Sequence, residues 1–289
     1  MDALLQQRYL TLIDGLGQIP THSEVAQKVI SVMNHRNASA VHAANFIDKD
    51  VALASKVLKL ANSAYYGLPR AITSVQRAIT ILGFDTVKSM VLSSSTLKIF
   101  PKTTQNQSFD RKMFWRHSVE TAIATKMIAR LSSRRVDPEL AFTAGLLHDI
   151  GKLVFDQFCA EDYASVLKKV ELGEEDWYEI EEREMGIHHA TLGAMLLERW
   201  GLAESIQVPV SQIYHPDRTI EHRDLASMLN VGNTLSLMNE TFAVQGERIQ
   251  PIHPSLKSFL GIALSDVDLF DLFMKDREKA TEFFVLMEE

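Results

Sequence analysis

The chain has almost no cysteine. Cys159 is the only one in 289 residues, which excludes an intramolecular disulfide and a cysteine-based zinc site. Such usage suits a reducing compartment. Glycine and proline are sparse as well, at 13 and 8 residues, against roughly 12% of the chain in average usage. Little punctuation of this kind disfavours many short strands and favours long helices. Basic charge is in deficit: 30 Lys and Arg stand against 37 Asp and Glu, for a net charge of −7. A broad nucleic-acid-binding surface is thereby disfavoured, because phosphate neutralisation needs cations. No apolar run approaches the ~18 residues of a membrane span. The opening MDALLQQRYLTLIDGLGQIP places an acid and two glutamines where a signal peptide needs an apolar core. These absences predict a cytoplasmic protein with neither a membrane nor a nucleic acid as partner.

What is present is helical periodicity almost throughout. Thr21 to Glu24 spells a capping box, with Val25, Val29, Val32 and Met33 on one face beyond it. Asp50 can cap a helix striped by Leu53, Val57, Leu60 and Ala61, which Gly67-Leu68-Pro69 stops. Asn62-Ser63 reads as its capping or turning end. Ser74 opens a helix with Val75, Ala78, Ile79 and Leu82, and Gly83 reads as a left-handed stop. Asp85 can start the next, which ends before Pro101. Further on, Asp137-Pro138-Glu139 combines a cap, a first-turn proline and a first-turn acid. Ala141, Ala144, Gly145 and His148 then share a face, with Gly151 just past its end. Glu174 to Glu184 reads as a solvated acidic helix broken by Gly186. Helices are also expected over 190–200, with Leu192, Met195 and Leu196 inward, and near 225–238 and 276–286. Lys102 to Ser108 is polar and aperiodic, the best boundary in the chain. It predicts a helical lobe over 1–105 and a larger one over 106–289.

Four histidines and an aspartate stand in distinctive contexts: His117 in FWRHS, His148-Asp149 in GLLHDIGK, His189 in GIHHATLGA and His215 in IYHPD. A mixed histidine and carboxylate set suits iron, manganese, nickel or zinc, and helical proteins build such sites from facing helices. His148-Asp149 is the most informative pair. Two groups that are hard to bury end the apolar run AFTAGLL, and their burial needs a partner. Trp115 and Trp200 read as core, Cys159 as a small buried hydrophobe, and His188 as an ambiguous neighbour of His189.

These motifs resemble the HD superfamily of metal-dependent phosphohydrolases and, within it, the HD-related output domain (HDOD) family. The stretch DKDVALASKVLKLANSAYYGLPRAITSVQRAITILGF (Asp48–Phe84), FWRHS, AFTAGLLHDIGKL, GIHHATLGA and Leu197-x-x-Trp200-Gly201-Leu202 follow one another in the order of that family, over roughly Gly17 to Thr241. The resemblance implies an all-α fold, a helical bundle of HD-domain type with an additional N-terminal helical lobe. It implies a divalent metal (Fe, Mn, Ni, Zn or Mg), retained or lost, at His117, His148, Asp149, His189 and His215. It also implies that Lys152 stands where catalytic relatives contact substrate phosphate. The chain departs from the enzymes in two places. Asn233, in Val231-Gly232-Asn233, stands where they carry an aspartate, so it is a weak sixth ligand. No G-Y-P motif follows His215.

The resemblance therefore implies a signal-transduction module, without catalysis, acting on signalling protein partners or on a small phosphate-containing ligand. The rival is a metal-dependent phosphohydrolase of nucleotides or cyclic nucleotides, with Asp149 and Lys152 as its catalytic residues. There a cation would polarise the phosphate and lower the pKa of bound water, while Lys152 would hold phosphate as a point charge. A metal-free helical scaffold is the third reading.

Overall fold

The structure, a computed structural model, describes residues 11–17, 19, 24–34, 39–62, 66, 68, 71–100, 109–173, 175–239 and 249–279. Among these residues it is helical, with no strand. No helix among them is long and apolar enough to cross a membrane. The chain divides into two compact units: Thr21–Ile99 with 275–289, and Phe100–Met274 with 1–20.

The first unit contains α1 (Glu24–Asn34), α2 (Ala40–Ile47), α3 (Val51–Ala61), α4 (Val75–Leu82) and α5 (Phe84–Ile99). The expected caps form. The Asp50 carboxylate accepts from the Leu53 amide at 3.1 Å, and the Ser74 hydroxyl accepts from the Arg77 amide at 3.3 Å. The stripes Leu53/Val57/Leu60/Ala61 and Val75/Ala78/Ile79/Leu82 are buried, as amphipathic helices require. Asn62 follows α3 and clamps the chain beyond. It donates from its amide nitrogen to the carbonyls of Leu58 and Ile72, and its oxygen accepts from the Ile72 amide. Gly83 has φ 83° and ψ 158°, so it is an extended positive-φ hinge rather than the left-handed stop expected. The next helix therefore starts at once, at Phe84 and ahead of Asp85. The capping box at Thr21, the stop at Gly67 and Pro69, and the boundary at Lys102–Ser108 lie outside the described residues.

The second unit contains α6 (Arg111–Leu131), α7 (Pro138–Leu147), α8 (Ile150–Phe158), α9 (Ala160–Val170), α10 (Trp177–Met185), α11 (His189–Arg199), α12 (Glu204–Ser211), a short 3-10 turn Pro216–Arg218, α13 (Arg223–Leu237) and α14 (Pro254–Leu260). The last described helix is α15 (Asp266–Lys279), which overlaps the helix expected over 276–286 as far as Lys279, the rest of that span lying outside the described residues. Its start is set by the Ser265 hydroxyl, which accepts from the Asp268 amide at 3.1 Å. Helix α6 is the axis of the second unit. It is buried on nearly every side from Phe114 to Ala129, and α7 and α13 pack along it, the pattern of a core helix.

Glycines set how closely the helices approach. A Cβ on Gly145 of α7 would lie 2.6 Å from the Ala122 Cα of α6. Gly151 is not the helix terminator its position suggested. It lies within α8 and faces Gly193 of α11, and a Cβ there would overlap the His189 carbonyl oxygen. The two-residue junction His148-Asp149 already ends α7, so no glycine stop is needed. Gly151→Ala is expected to destabilise the protein by about 1–3 kcal/mol, the usual range for overpacking. Urea denaturation measures it, and a loss under about 0.5 kcal/mol, the scale of an ordinary surface substitution, would show that the two helices are free to separate.

Candidate functional site

The site begins at the α7–α8 junction. His148 keeps helical angles and Asp149 turns the chain directly into α8. Both side chains are therefore held against α6, with 0% and 2% exposure. His148 Nδ1 lies 2.8 Å from the Gly145 carbonyl and donates its proton there. That tautomer leaves Nε2 as a bare acceptor. From α6, His117 brings its Nε2 to 3.2 Å from His148 Nε2 and 3.5 Å from Asp149 Oδ2. The Ser236 hydroxyl of α13 sits 3.0 Å from His117 Nδ1. A hydroxyl both donates and accepts, so either His117 tautomer is accommodated.

His117, His148 and Asp149 offer ligand atoms within 4.8 Å of one another, all buried. Asp149 Oδ1 has no hydrogen-bond partner, and it faces the bare His148 Nε2 at 3.2 Å. Two buried acceptors in that position call for a shared cation, so these three residues fit a divalent metal. A metal bound there supplies Lewis acidity and a lowered pKa for bound water. The protonation states of two of the three suit donors. Burial pulls the His148 imidazole down to about 3 and keeps it neutral. Burial alone would raise the Asp149 carboxyl, but His148, Lys152 and His189 outweigh it and hold it well below its ordinary range.

The remaining residues take separate places. His189, at the first turn of α11, lies with Nε2 3.2 Å from Asp149 Oδ1 and 2.7 Å from the Tyr214 hydroxyl. On its far side Nδ1 donates to Glu181 at 2.5 Å, and Glu181 also accepts the His189 backbone N–H at 2.7 Å and the Tyr163 hydroxyl at 2.9 Å. Burial works against an imidazolium here, but the Glu181 carboxylate prevails and raises the His189 pKa. His189 thus lies between two carboxylates, Glu181 and Asp149. Lys152 lies one turn along α8 from Asp149, its ammonium 2.7 Å from Asp149 Oδ2 and 3.7 Å above the Trp177 ring. It is 4% exposed. His215 lies outside the group of three, edge-on to Tyr178 at 5.7 Å. Asn233 is on α13 one turn before Ser236, and it lines a separate cavity with its Oδ1 unpartnered.

Glu181 is the residue that the sequence reading passed over. The stretch expected to be solvated buries Trp177, Ile180, Glu181 and Met185. Their spacing, i, i+3, i+4 and i+8, was the available signal for a buried face. Trp115, Trp200 and Cys159 are core, as expected, whereas Met195 is half-buried and Leu197 takes the inward position. His188 caps α11, accepting from the Thr191 amide.

The HDOD domain family model matches residues 19–216 of this chain. Among solved structures, an HDOD domain protein of unknown function from Geobacter sulfurreducens is 22% identical with a TM-score of 0.75, covering 99% of this chain and 98% of that one. A candidate phosphohydrolase from Shewanella amazonensis is also 22% identical with a TM-score of 0.75, over 96% and 98%. A candidate signal transduction protein from Marinobacter aquaeolei is 21% identical with a TM-score of 0.79, over 99% of this chain and 66% of its own. A curated protein of Treponema pallidum, without a described function, is 24% identical over 226 residues. This chain spans 42% of the length of that relative.

Proposed function

Because the chain belongs to the HDOD domain family, we propose that it is a cytoplasmic regulatory module. It carries a cluster of HD type, binds rather than turns over a small phosphate-containing ligand, and passes the bound state to a signalling protein partner. The observation that carries this reading is the Lys152–Asp149 pair at 2.7 Å, nine-tenths buried on both sides. Asp149 is the only carboxylate among the three clustered donors, and an internal cation already neutralises it. A second carboxylate, Glu181, is committed to His189. A divalent ion added to His117, His148 and Asp149 therefore finds little net negative charge, so generation of a metal-bound nucleophile is poorly supported.

The second reading is the phosphohydrolase, with Asp149 and Lys152 as its working residues. The observation that favours it is the orphaned Asp149 Oδ1 facing His148 Nε2. Here Fe, Mn, Ni, Zn or Mg would be held by His117, His148 and Asp149, with His189 against the carboxylate. The deciding experiment is an assay of the metal-loaded protein on cyclic dinucleotides and simple phosphodiesters. The module reading expects rates far below about 1 s⁻¹, the low end of ordinary enzymes. Turnover at or above that rate overturns it in favour of the hydrolase.

A further inference from the structure

Acidic residues are missing from one part of the chain. Residues 51–109 make up about a fifth of the sequence and hold seven of its 30 Lys and Arg, but only one of its 37 Asp and Glu, Asp85. Between the two units the contrast is one of sign. The first, Thr21–Ile99 with 275–289, carries 12 bases against nine acids, and the second carries 18 against 28.

Local helix physics does not account for the deficit. An acid is stabilising in the first turn of a helix, where the macrodipole is positive. Helices α7, α9, α10, α12, α13 and α15 each carry at least one there. Helices α3 and α4 carry none, and no carboxylate stands anywhere along either. Their exposed positions hold Ala52, Ser55, Lys59, Gln76, Arg77 and Thr80 instead. Glutamate is a better helix former than serine or threonine, and at exposed positions it would disturb no packing. The face is also well fixed. Ala52, Ser55 and Lys59 fall on one stripe of α3, and α3 packs on α4. Asn62 ties the end of α3 to Ile72, ahead of α4, by hydrogen bonds of 2.6 and 2.8 Å. A pre-ordered cationic face with small neighbours, cleared of acid, is complementary to a carboxylate-rich surface.

Magnitude decides which kind of polyanion fits. Duplex DNA places one charge per about 1.7 Å, and its binders neutralise about 6–10 phosphates. Helices α3 and α4 offer three cations, Lys56, Lys59 and Arg77, and a long polyanion would also meet a protein of net charge −7. A bilayer needs apolar anchors, and Val51 is the one large apolar side chain exposed on these helices. A short acidic protein segment needs neither.

We propose that the α3–α4 face is where this module meets its signalling partner, and that the partner presents an acidic segment to Lys59 and Arg77. This rests on the module reading above and names the partner's chemistry. The test is fluorescence anisotropy of a labelled deca-glutamate peptide titrated with the full chain. Binding at about 100 μM or tighter is expected in low salt, weakening about threefold or more at physiological ionic strength. Lys59→Glu combined with Arg77→Glu should weaken it about tenfold or more. Arg135→Glu, an exposed reversal in the second unit, should change it by less than about twofold. Gln76→Glu separates binding from folding: a first-turn acid should leave Tm unchanged or raised while affinity falls about threefold or more. The proposal is overturned if deca-glutamate fails to bind up to about 1 mM, or if the double reversal or Gln76→Glu binds as the wild type does. It is equally overturned if Arg135→Glu weakens binding as much as the double reversal. Tighter binding of a single-stranded DNA of equal charge, or of phosphatidylserine vesicles, would overturn it too. None of these outcomes bears on turnover, so failure here is distinct from failure of the module reading.

Discussion

Glu181→Ala is expected to cost about 3–5 kcal/mol of stability, the range for removing one partner of a buried charged pair. The carboxylate is fully buried and accepts three donors: the His189 backbone N–H, His189 Nδ1 and the Tyr163 hydroxyl. Its loss takes from the His189 imidazole its closest partner, at 2.5 Å, and strands a hydroxyl in the core. The Tyr163 ring is itself stacked on Phe155 at 4.9 Å and fully buried, so it has no route to water. For a unit of this size the loss corresponds to a Tm lowered by on the order of 10 °C. Glu181→Gln should recover only part of the stability, because an amide oxygen still accepts but its NH₂ opposes one of the donors. Chemical denaturation checks both variants, and ¹⁵N chemical shifts of the His189 ring report whether its Nδ1 proton is still held. A loss below about 1 kcal/mol, the net value of one ordinary hydrogen bond, would mean that the three contacts do not act together.

The helices were legible because their signals are local. The Asp137 carboxylate accepts from the Glu139 amide at 3.0 Å, with Pro138 in the first turn, as the tripeptide predicts. Gly186 ends α10 in the left-handed conformation. His117, His148 and Asp149 were legible through ordered motifs, and the structure brings them together. Glu181 was hidden by composition: it sits in a run of acids, where charge argues for solvent, while its apolar neighbours at helical spacing argue for the core. The α13 contact to His117 was not legible by counting along the chain. The helix turns about 100° per residue, so the position that faces His117 is Ser236, one turn after Asn233. The cavity that Asn233 lines was illegible because it joins α10, Tyr214 and α13, elements far apart in sequence whose meeting depends on tertiary packing.

Lys152→Met carries the other large effect, and it separates the two functional readings. Methionine keeps the stem that packs beside Trp177 and removes the charge. In chelator, Asp149 is then left 2% exposed with no ammonium at 2.7 Å, so the variant should lose about 3–5 kcal/mol. A divalent ion should repair much of that loss. Its affinity for His117, His148 and Asp149 should rise about tenfold or more, because it no longer competes with a tethered cation, a change worth about 1.4 kcal/mol or more. Titration of Mn²⁺ or Zn²⁺ followed by calorimetry and by Tm reads this directly, since an ion bound only to the folded state stabilises in proportion to the logarithm of its concentration over Kd. Equal affinity in the variant and the wild type would show that Lys152 does not neutralise the site. A variant that binds no ion at all would show that the three donors are not a metal centre. Inorganic phosphate adds the decisive arm. In the hydrolase reading, with an ion held by His117, His148 and Asp149, the Lys152 ammonium would be free to hold phosphate, so phosphate should tighten metal binding in the wild type but not in Lys152→Met. In the module reading Lys152 stays on Asp149, and phosphate leaves the wild-type metal affinity unchanged.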